Sequence, residues 1–331
     1  MPWRRRSRTV GDVALTVAAR TGRGSRRGPS RRTGKTWANA LVFLIPALVI
    51  YSLFLLYPLV TAVTYSFFDW QGTVRGAFSG LANYVYLFTE SEIGEQLPKA
   101  FLHNTLIFVG NVVFQLGLGL TLAVLLMRRA RYRRFFQTAI TVPYLVNPLV
   151  IGFLFNLILS PQLGPLNSLL RAVGLGDAAQ PWLGQESTIL PIVILVGAWQ
   201  WVGFPMLVFS AALASVPPEY VEAARIDGAS AWRTFRSILF PLILPAIGAV
   251  TVLAFVMSFN AFGLVIGLTD LRGGVLGAAD TLTLMFYRTA FGPSVNAIGV
   301  SSAIAVIIFL FVFTVAMLLN RVLRKREEAL Q

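Results

Sequence analysis

The residue types that ordinarily perform covalent chemistry are scarce in this chain. It has no cysteine and one histidine, His103. Disulfides and thiolate metal sites are thereby excluded, and a histidine-based triad has a single candidate base. His103 sits at the edge of an apolar run without a nearby acid, which reads as a polar interface histidine rather than a catalytic base. The chain does offer uncharged hydrogen-bonding groups inside apolar runs: Asn111, Gln115, Asn147, Asn156, Gln200, Ser258 and Asn260, accompanied by Trp199, Trp201, Phe259 and Phe262. Amides and hydroxyls can exchange hydrogen bonds with a polar, uncharged solute, and aromatic faces can stack on the C–H surface of a ring. Polar groups in lipid are costly unless paired or facing a cavity. Hydrogen bonds between helices meet the same need, and for any single residue packing is the commoner use. Gly28-Pro-Ser-Arg-Arg-Thr-Gly34-Lys35-Thr36 imitates a phosphate-binding loop, but it has five residues between its glycines and no strand before it. Its amides cannot form the anion cradle, so this chain is expected to hold no ATP site.

The elements that position these groups are membrane helices. Hydrophobic residues make up 56% of the chain and charged ones 13%, far from a soluble domain. Charge-free intervals are long enough for the about 20 apolar residues that cross a bilayer. Six spans are predicted, at 41–65, 102–127, 137–160, 189–214, 242–268 and 297–320, giving an all-α polytopic membrane protein. Residues 1–36, 128–136, 215–240 and the C-terminal tail carry 11, 5, 3 and 4 of the 28 lysines and arginines. The positive-inside rule then puts both termini and the 215–240 loop in the cytoplasm. The net charge of +14 is mostly topology and implies no nucleic acid partner, because aromatic residues do not interleave the basic tail. Residues 1–36 are expected to form a basic, disordered tail, or one lying on anionic headgroups, ahead of a membrane domain over 37–331. No cleavable signal is evident, and the alternative reading is that the tail is partly a start codon chosen too far upstream.

The loop at about 216–240 is the most informative segment. Pro217 and Pro218 suit a first helical turn, and Glu219 and Glu222 complement the positive end of its dipole. Ala223 and Ala224 are strong helix formers small enough for a partner's groove to approach the backbone. Asp227-Gly228 follows two to three turns on, with Gly228 suited to the left-handed conformation that ends a helix. Ser230 fits the N-cap of a second helix, whose Trp232, Phe235, Ile238 and Leu239 recur at helical spacing. Pro241 and Pro245 predict a bend in the span that follows. The whole is a short helix, a tight turn and a bent membrane helix, able to pass motion from a docked partner into the bilayer.

Glu222-Ala223-Ala224, Gly228, Ile238 and Pro241 resemble the EAA loop by which permease subunits of binding-protein-dependent ABC sugar importers grip their ATPase; Phe240 stands where leucine is usual. The resemblance extends from about Trp37 to the C-terminus. Phe43-Leu-Ile-Pro46, Leu56-Tyr57-Pro58, Phe68-Asp69-Trp70 and Leu81-Ala-Asn83-Tyr84 are similar to the first-helix region of the larger maltose-importer permease branch. Arg131-Tyr-Arg133-Arg134-Phe135-Phe136 before Thr141-Val-Pro143-Tyr144 follows the family's basic turn. Leu268-Thr-Asp270-Leu-Arg272-Gly273-Gly274 departs from it. The resemblance implies a type I ABC importer permease in the bacterial cytoplasmic membrane, paired with a second related permease, two ATPase subunits and an extracytoplasmic solute-binding protein. ATP and Mg would be bound by the ATPase, with no cofactor and no enzyme activity in this chain. Glu222, Ala223, Ala224, Asp227 and Gly228 would couple to the ATPase. The foremost candidates for the path of a sugar or oligosaccharide would be Ser258, Asn260 and Phe262, with Asn147 and Gln200 as further ones. An ion-coupled transporter or channel remains the alternative, since sodium sites can use neutral oxygens.

Overall fold

The computed structural model describes residues 33–127 and 132–328. The basic tail up to Arg32, residues 28–32 of the loop that imitates a phosphate site, and Arg131 of the basic turn lie outside the described residues. Internal contacts divide the chain into two units, Met1–Pro58 and Leu59–Gln331.

In the first unit, α1 (Thr33–Tyr51) gives way to a π-turn over Ser52–Leu56. The Tyr57 amide reaches the Ser52 carbonyl five residues back. A regular α-turn would press the ring of Pro58 against the carbonyl four residues before it, and the wider turn relieves that clash.

The second unit takes up within α2 (Tyr57–Tyr65), after which the chain departs from the all-α expectation. A hairpin forms from β1 (Phe68–Gln71) and β2 (Val74–Phe78), with Gly72 at φ 60° in its turn. Phe68-Asp69-Trp70, whose composition suits an interfacial aromatic belt as well as a family signature, is therefore strand. Trp70 is buried and its indole N–H donates to the Tyr65 carbonyl. Buried Asn83, in α3 (Ala82–Thr89), donates to the Ser66 and Phe68 carbonyls and accepts from Asn296 Nδ2 at 2.7 Å. Asn296 Oδ1 in turn accepts from the Trp70 amide. The Leu81-Ala-Asn83-Tyr84 run thus acts as a clamp that satisfies the backbone at the helix-to-hairpin junction, where no regular element could.

Among the described residues, four helical stretches are long and apolar enough to cross a bilayer, or six if each of two bent pairs is one span. One runs from Glu92 to Met127 through α4 (Ser91–Gly110), a π-turn at Asn111–Leu116 and α5 (Gly117–Met127). The predicted span at 137–160 is broken. α6 (Arg133–Thr141) and a 3₁₀ turn over Val142–Leu145 meet α7 (Pro148–Ile158) at 94°. The cause is local: Pro148 forces the preceding residue out of the helical region, and Asn147 caps the new helix by accepting from the Leu149 amide at 2.9 Å. After α8 (Pro165–Ala172), α9 (Glu186–Trp201) and α10 (Gly203–Ala214) meet at 46°. A Cβ on Gly203 would lie 2.7 Å from the Thr141 Cα, so only glycine lets α10 lie against the end of α6.

The remaining elements are α11 (Pro218–Ile226), α12 (Ala231–Thr234), a π-turn at Phe235–Leu239, α13 (Phe240–Ser258), α14 (Phe262–Leu268), α15 (Leu282–Ala290) and α16 (Ala297–Glu328). The predicted span over 242–268 is corrected here. Its helix stops at Ser258, and Phe259 to Ala261 turn the chain into the separate α14. α13 is the shared wall of two apolar clusters. Phe255 and Phe259 pack with Leu97 of α4, Met285 of α15 and Ile304 of α16, while Ile243, Val250 and Ala254 pack with Phe209 of α10 and Leu116.

Candidate functional site

Two regions of the second unit bring the singled-out residues together. The first is the α11 to α13 loop. Pro217 stands at the N-cap of α11 and Pro218 in its first turn, and the helix ends at Ile226 as its spacing predicts. Gly228 takes φ 73°, its amide donates to the Arg225 carbonyl, and the Ala229 amide donates to the Ala224 carbonyl at 2.9 Å. This pair of bonds is the Schellman closure, which satisfies carbonyls that the helix end would otherwise leave open. Ser230 caps α12 by accepting from the Arg233 amide. The Phe240 amide then reaches back five residues to Phe235, a widened turn that accommodates Pro241 as the one at Ser52–Leu56 accommodates Pro58.

The two alanines divide their work. Ala224 is buried against the protein, whereas Ala223 is exposed with Glu222, Asp227 and Gly228. Tyr220, Ile226 at 87% exposure and Trp232 add apolar surface beside them. Behind this face a cleft of about 820 Å³ is lined by Val221, Glu222 and Arg225 of α11 together with Met127, Arg133 and Ser210. The buried Ser210 hydroxyl in that cleft has no hydrogen-bond partner among the described residues. A helix held by prolines at one end and a closed cap at the other, anchored through one alanine and linked by a short turn to a membrane helix, can be displaced as a rigid lever.

The second region is a cavity of about 330 Å³ among α4, the π-turn that follows it, α9, α10, α13 and α14. Asn111 and Gln115 reach it from the π-turn at 111–116, and Ser258 and Asn260 from the end of α13. Such widened turns recur at functional sites because they redirect side chains that a regular helix would turn away. Asn111 Nδ2 donates to Ser258 Oγ at 3.0 Å, and Ser258 Oγ donates to the Ala254 carbonyl at 2.7 Å. Gln115, 6% exposed, borders the cavity without a hydrogen-bond partner among the described residues. Tyr144, Trp201 and Phe204 complete the lining with mutual ring contacts, at 5.1 Å for Tyr144 and Trp201 and 5.7 Å for Tyr144 and Phe204.

The other candidates sit elsewhere. Asn147 is the N-cap of α7, and fully buried Gln200 donates to the Val146 carbonyl at 2.9 Å. Asn156 donates to the Leu268 carbonyl at the end of α14, and Phe262 lies 5.0 Å from the Tyr287 ring. None of these lines the cavity. Tyr144 and Phe204 are missing from the sequence's candidates for the solute path, because an aromatic residue in an apolar run carries no local mark of a cavity.

His103 also needs correcting. An acid is close in space: His103 Nδ1 donates to the backbone carbonyl of Asp280 at 2.8 Å, which fixes the proton on that nitrogen because a carbonyl only accepts. Arg288 Nη2 donates to Asp280 Oδ2 at 2.7 Å and to Gln96 Oε1 at 2.9 Å. Burial raises the Asp280 pKa above its ordinary 3.8, outweighing the lowering by the Arg288 guanidinium. Next to His103, fully buried Asn104 donates to the Ser258 carbonyl and accepts from the Leu282 amide, pinning the end of α13 to the start of α15. In the departing stretch, Asp270 Oδ1 accepts from the Arg272 and Gly274 amides and so shapes the loop after α14.

Residues 115–328 match the family described as binding-protein-dependent transport system inner membrane component. The chain is 32% identical over 288 residues to the probable starch degradation products transport system permease protein AmyD of Thermoanaerobacterium thermosulfurigenes, covering 86% of this chain and 94% of that one. It is 30% identical over 286 residues to the multiple sugar-binding transport system permease protein MsmF of Streptococcus mutans, covering 86% and 95%. In structure it is similar to a chain of a bacterial alginate ABC transporter solved with an alginate pentasaccharide-bound periplasmic protein. That likeness has a TM-score of 0.74 at 20% identity, covering 89% of this chain and 96% of the other.

Proposed function

We propose, from the premise that this chain belongs to the family of binding-protein-dependent transport system inner membrane components, that it carries a sugar or oligosaccharide across the bacterial cytoplasmic membrane as the permease subunit of an ABC importer. In this reading each bent helix pair counts as one span, the chain crosses six times, and both termini are cytoplasmic. A second permease pairs with it, a solute-binding protein delivers the sugar from outside, and two ATPase subunits supply the free energy with their own ATP and Mg. The α11 lever seats in an ATPase groove through Ala223, Glu222, Asp227 and the apolar flank of Tyr220 and Ile226. Closure of the ATPase pair carries α11 inward and, through the turn at Gly228, moves α13. Ser258 and Asn260 stand at the far end of α13, where the cavity is. A continuous helical stretch, Ala231–Ser258, therefore runs from the turn that follows α11 to the cavity.

The observation that carries this reading is the exposed face of α11, closed by the Schellman turn and followed through α12 by α13. The test is co-purification of ATPase from detergent-solubilised membranes. Native chain should retain it, whereas Glu222→Ala and Gly228→Val should release it while keeping a monodisperse permease. No ATPase bound to the native chain after co-expression with its cognate subunits would remove the main support for the importer and favour ion-driven transport.

A further inference from the structure

We infer that the solute passing this chain is an uncharged saccharide, recognised by a neutral amide and hydroxyl set on the π-turn of the second span and the end of α13, and that this cavity rejects uronates. The inference rests on the reading of the cargo as a sugar.

None of the 18 residues lining the cavity is Asp, Glu, Lys, Arg or His. Four aliphatic side chains, Asn111, Gln115, Ser258 and Asn260, offer it amide and hydroxyl groups, and the rings of Tyr144 and Trp201 bring aromatic surface with a phenol O–H and an indole N–H. Two of the four are already partly committed. The Asn111 amide nitrogen and the Ser258 hydroxyl bond to each other, and the hydroxyl proton goes to the Ala254 carbonyl. What remains of these four is the Asn111 carbonyl oxygen, the Asn260 amide and the whole Gln115 amide, beside the ring O–H and N–H of Tyr144 and Trp201. Gln115 decides the matter. A residue only 6% exposed, whose side chain carries two donors and an acceptor with no partner among the described residues, is an open hydrogen-bonding site for whatever fills the cavity.

The chemistry of that set is selective. A sugar hydroxyl both donates and accepts, so it matches an amide that does the same, while the C–H face of the ring suits Tyr144 and Trp201. A carboxylate accepts only, keeps its charge at neutral pH, and meets no cation or guanidinium here to replace the water it would lose. Selection by charge is therefore built into the permease, independent of the binding protein's own preference.

The test uses the transporter assembled with its second permease and ATPases in nanodiscs, without binding protein so that the latter's selectivity does not enter. Maltotriose, lactose and diacetylchitobiose are compared with trigalacturonate and an alginate trisaccharide by saturation-transfer NMR. The expected result is a signal from at least one neutral sugar, with uronate signals at least about tenfold weaker. Gln115→Leu should reduce the neutral signal at least about fivefold and Gln115→Asn less, both retaining bound ATPase as a check on folding. A uronate signal as strong as the neutral one overturns the charge assignment and leaves the sugar reading standing. An undiminished neutral signal in Gln115→Leu overturns the role of that amide. Silence from every saccharide, with ATPase still bound, removes the sugar reading itself and this inference with it.

Discussion

Single residues here matter through what their neighbours leave unsatisfied. Asp280 is buried, so its carboxylate depends on Arg288, whose guanidinium is held in turn by Gln96 and the Leu271 carbonyl. Arg288→Ala should destabilise the protein at neutral pH by about 2–3 kcal/mol, the lower range for a pair whose arginine is partly exposed. The pH dependence follows from the sign of the shift. With its folded pKa raised, Asp280 favours folding most in its protonated form, below the unfolded value of about 3.9, and that contribution is lost as pH rises through the folded value. The deficit of Arg288→Ala should therefore shrink on acidification toward pH 4. Asp280→Asn in the same background should flatten the profile. Thermal unfolding in detergent at stepped pH measures both, and a deficit constant across pH would show that Arg288 acts by packing alone.

At the scale of elements, glycines set how closely helices approach. α7 and α14, the two short helices left by broken spans, meet where a Cβ on Gly152 would lie 2.7 Å from the Gly267 Cα and 2.7 Å from the Leu264 carbonyl oxygen. The obstacle is backbone, which cannot rotate aside. Gly152→Ala should cost about 1–3 kcal/mol through overpacking, and Gly267→Ala a similar amount. Gly117 begins α5 with nothing within 4 Å of where an added methyl would sit, so Gly117→Ala should stabilise by about 0.5–1 kcal/mol through helix propensity. Opposite shifts in unfolding temperature are expected, and a neutral Gly152→Ala would mean that α7 and α14 separate easily. Gly228→Val belongs to the same scale. Its Cβ would meet open space, but φ 73° is strained for any branched side chain, so the closure of α11 should loosen through backbone strain.

For the whole molecule, the absence of cysteine in the sequence gives a clean test of topology. Single cysteines at Arg75, Asp177 and Arg272 should react with impermeant maleimide added to intact spheroplasts, and those at Ser7, Asp227 and Arg324 only after lysis. This pattern follows from six spans with both ends inside. Labelling of Asp177 from the cytoplasmic side would mean that the pair α6 and α7 enters and leaves the membrane on one face, a re-entrant geometry that a 94° bend also permits.

The membrane class and the helix, turn and helix of the 216–240 loop were legible in the sequence because their signals are local. Composition marks spans, lysines and arginines set their expected orientation, and prolines, Gly228 and Ser230 carry the start, stop and restart of α11 and α12 in residue types that act within a turn of themselves. Tertiary structure decided the rest. The 137–160 and 242–268 runs look unbroken because lipid and protein interior demand the same apolar composition on both sides of a break. Asn147-Pro148 did hold the signal for one break, as a cap and a first-turn proline. The approach of Asp280 to His103 spans 177 residues, a pairing that no local pattern encodes. Which of several equivalent amides is left open for a ligand likewise rests on packing. Asn147, Asn156 and Gln200 find backbone groups, and Gln115 finds none among the described residues, a difference fixed only by how the helices pack.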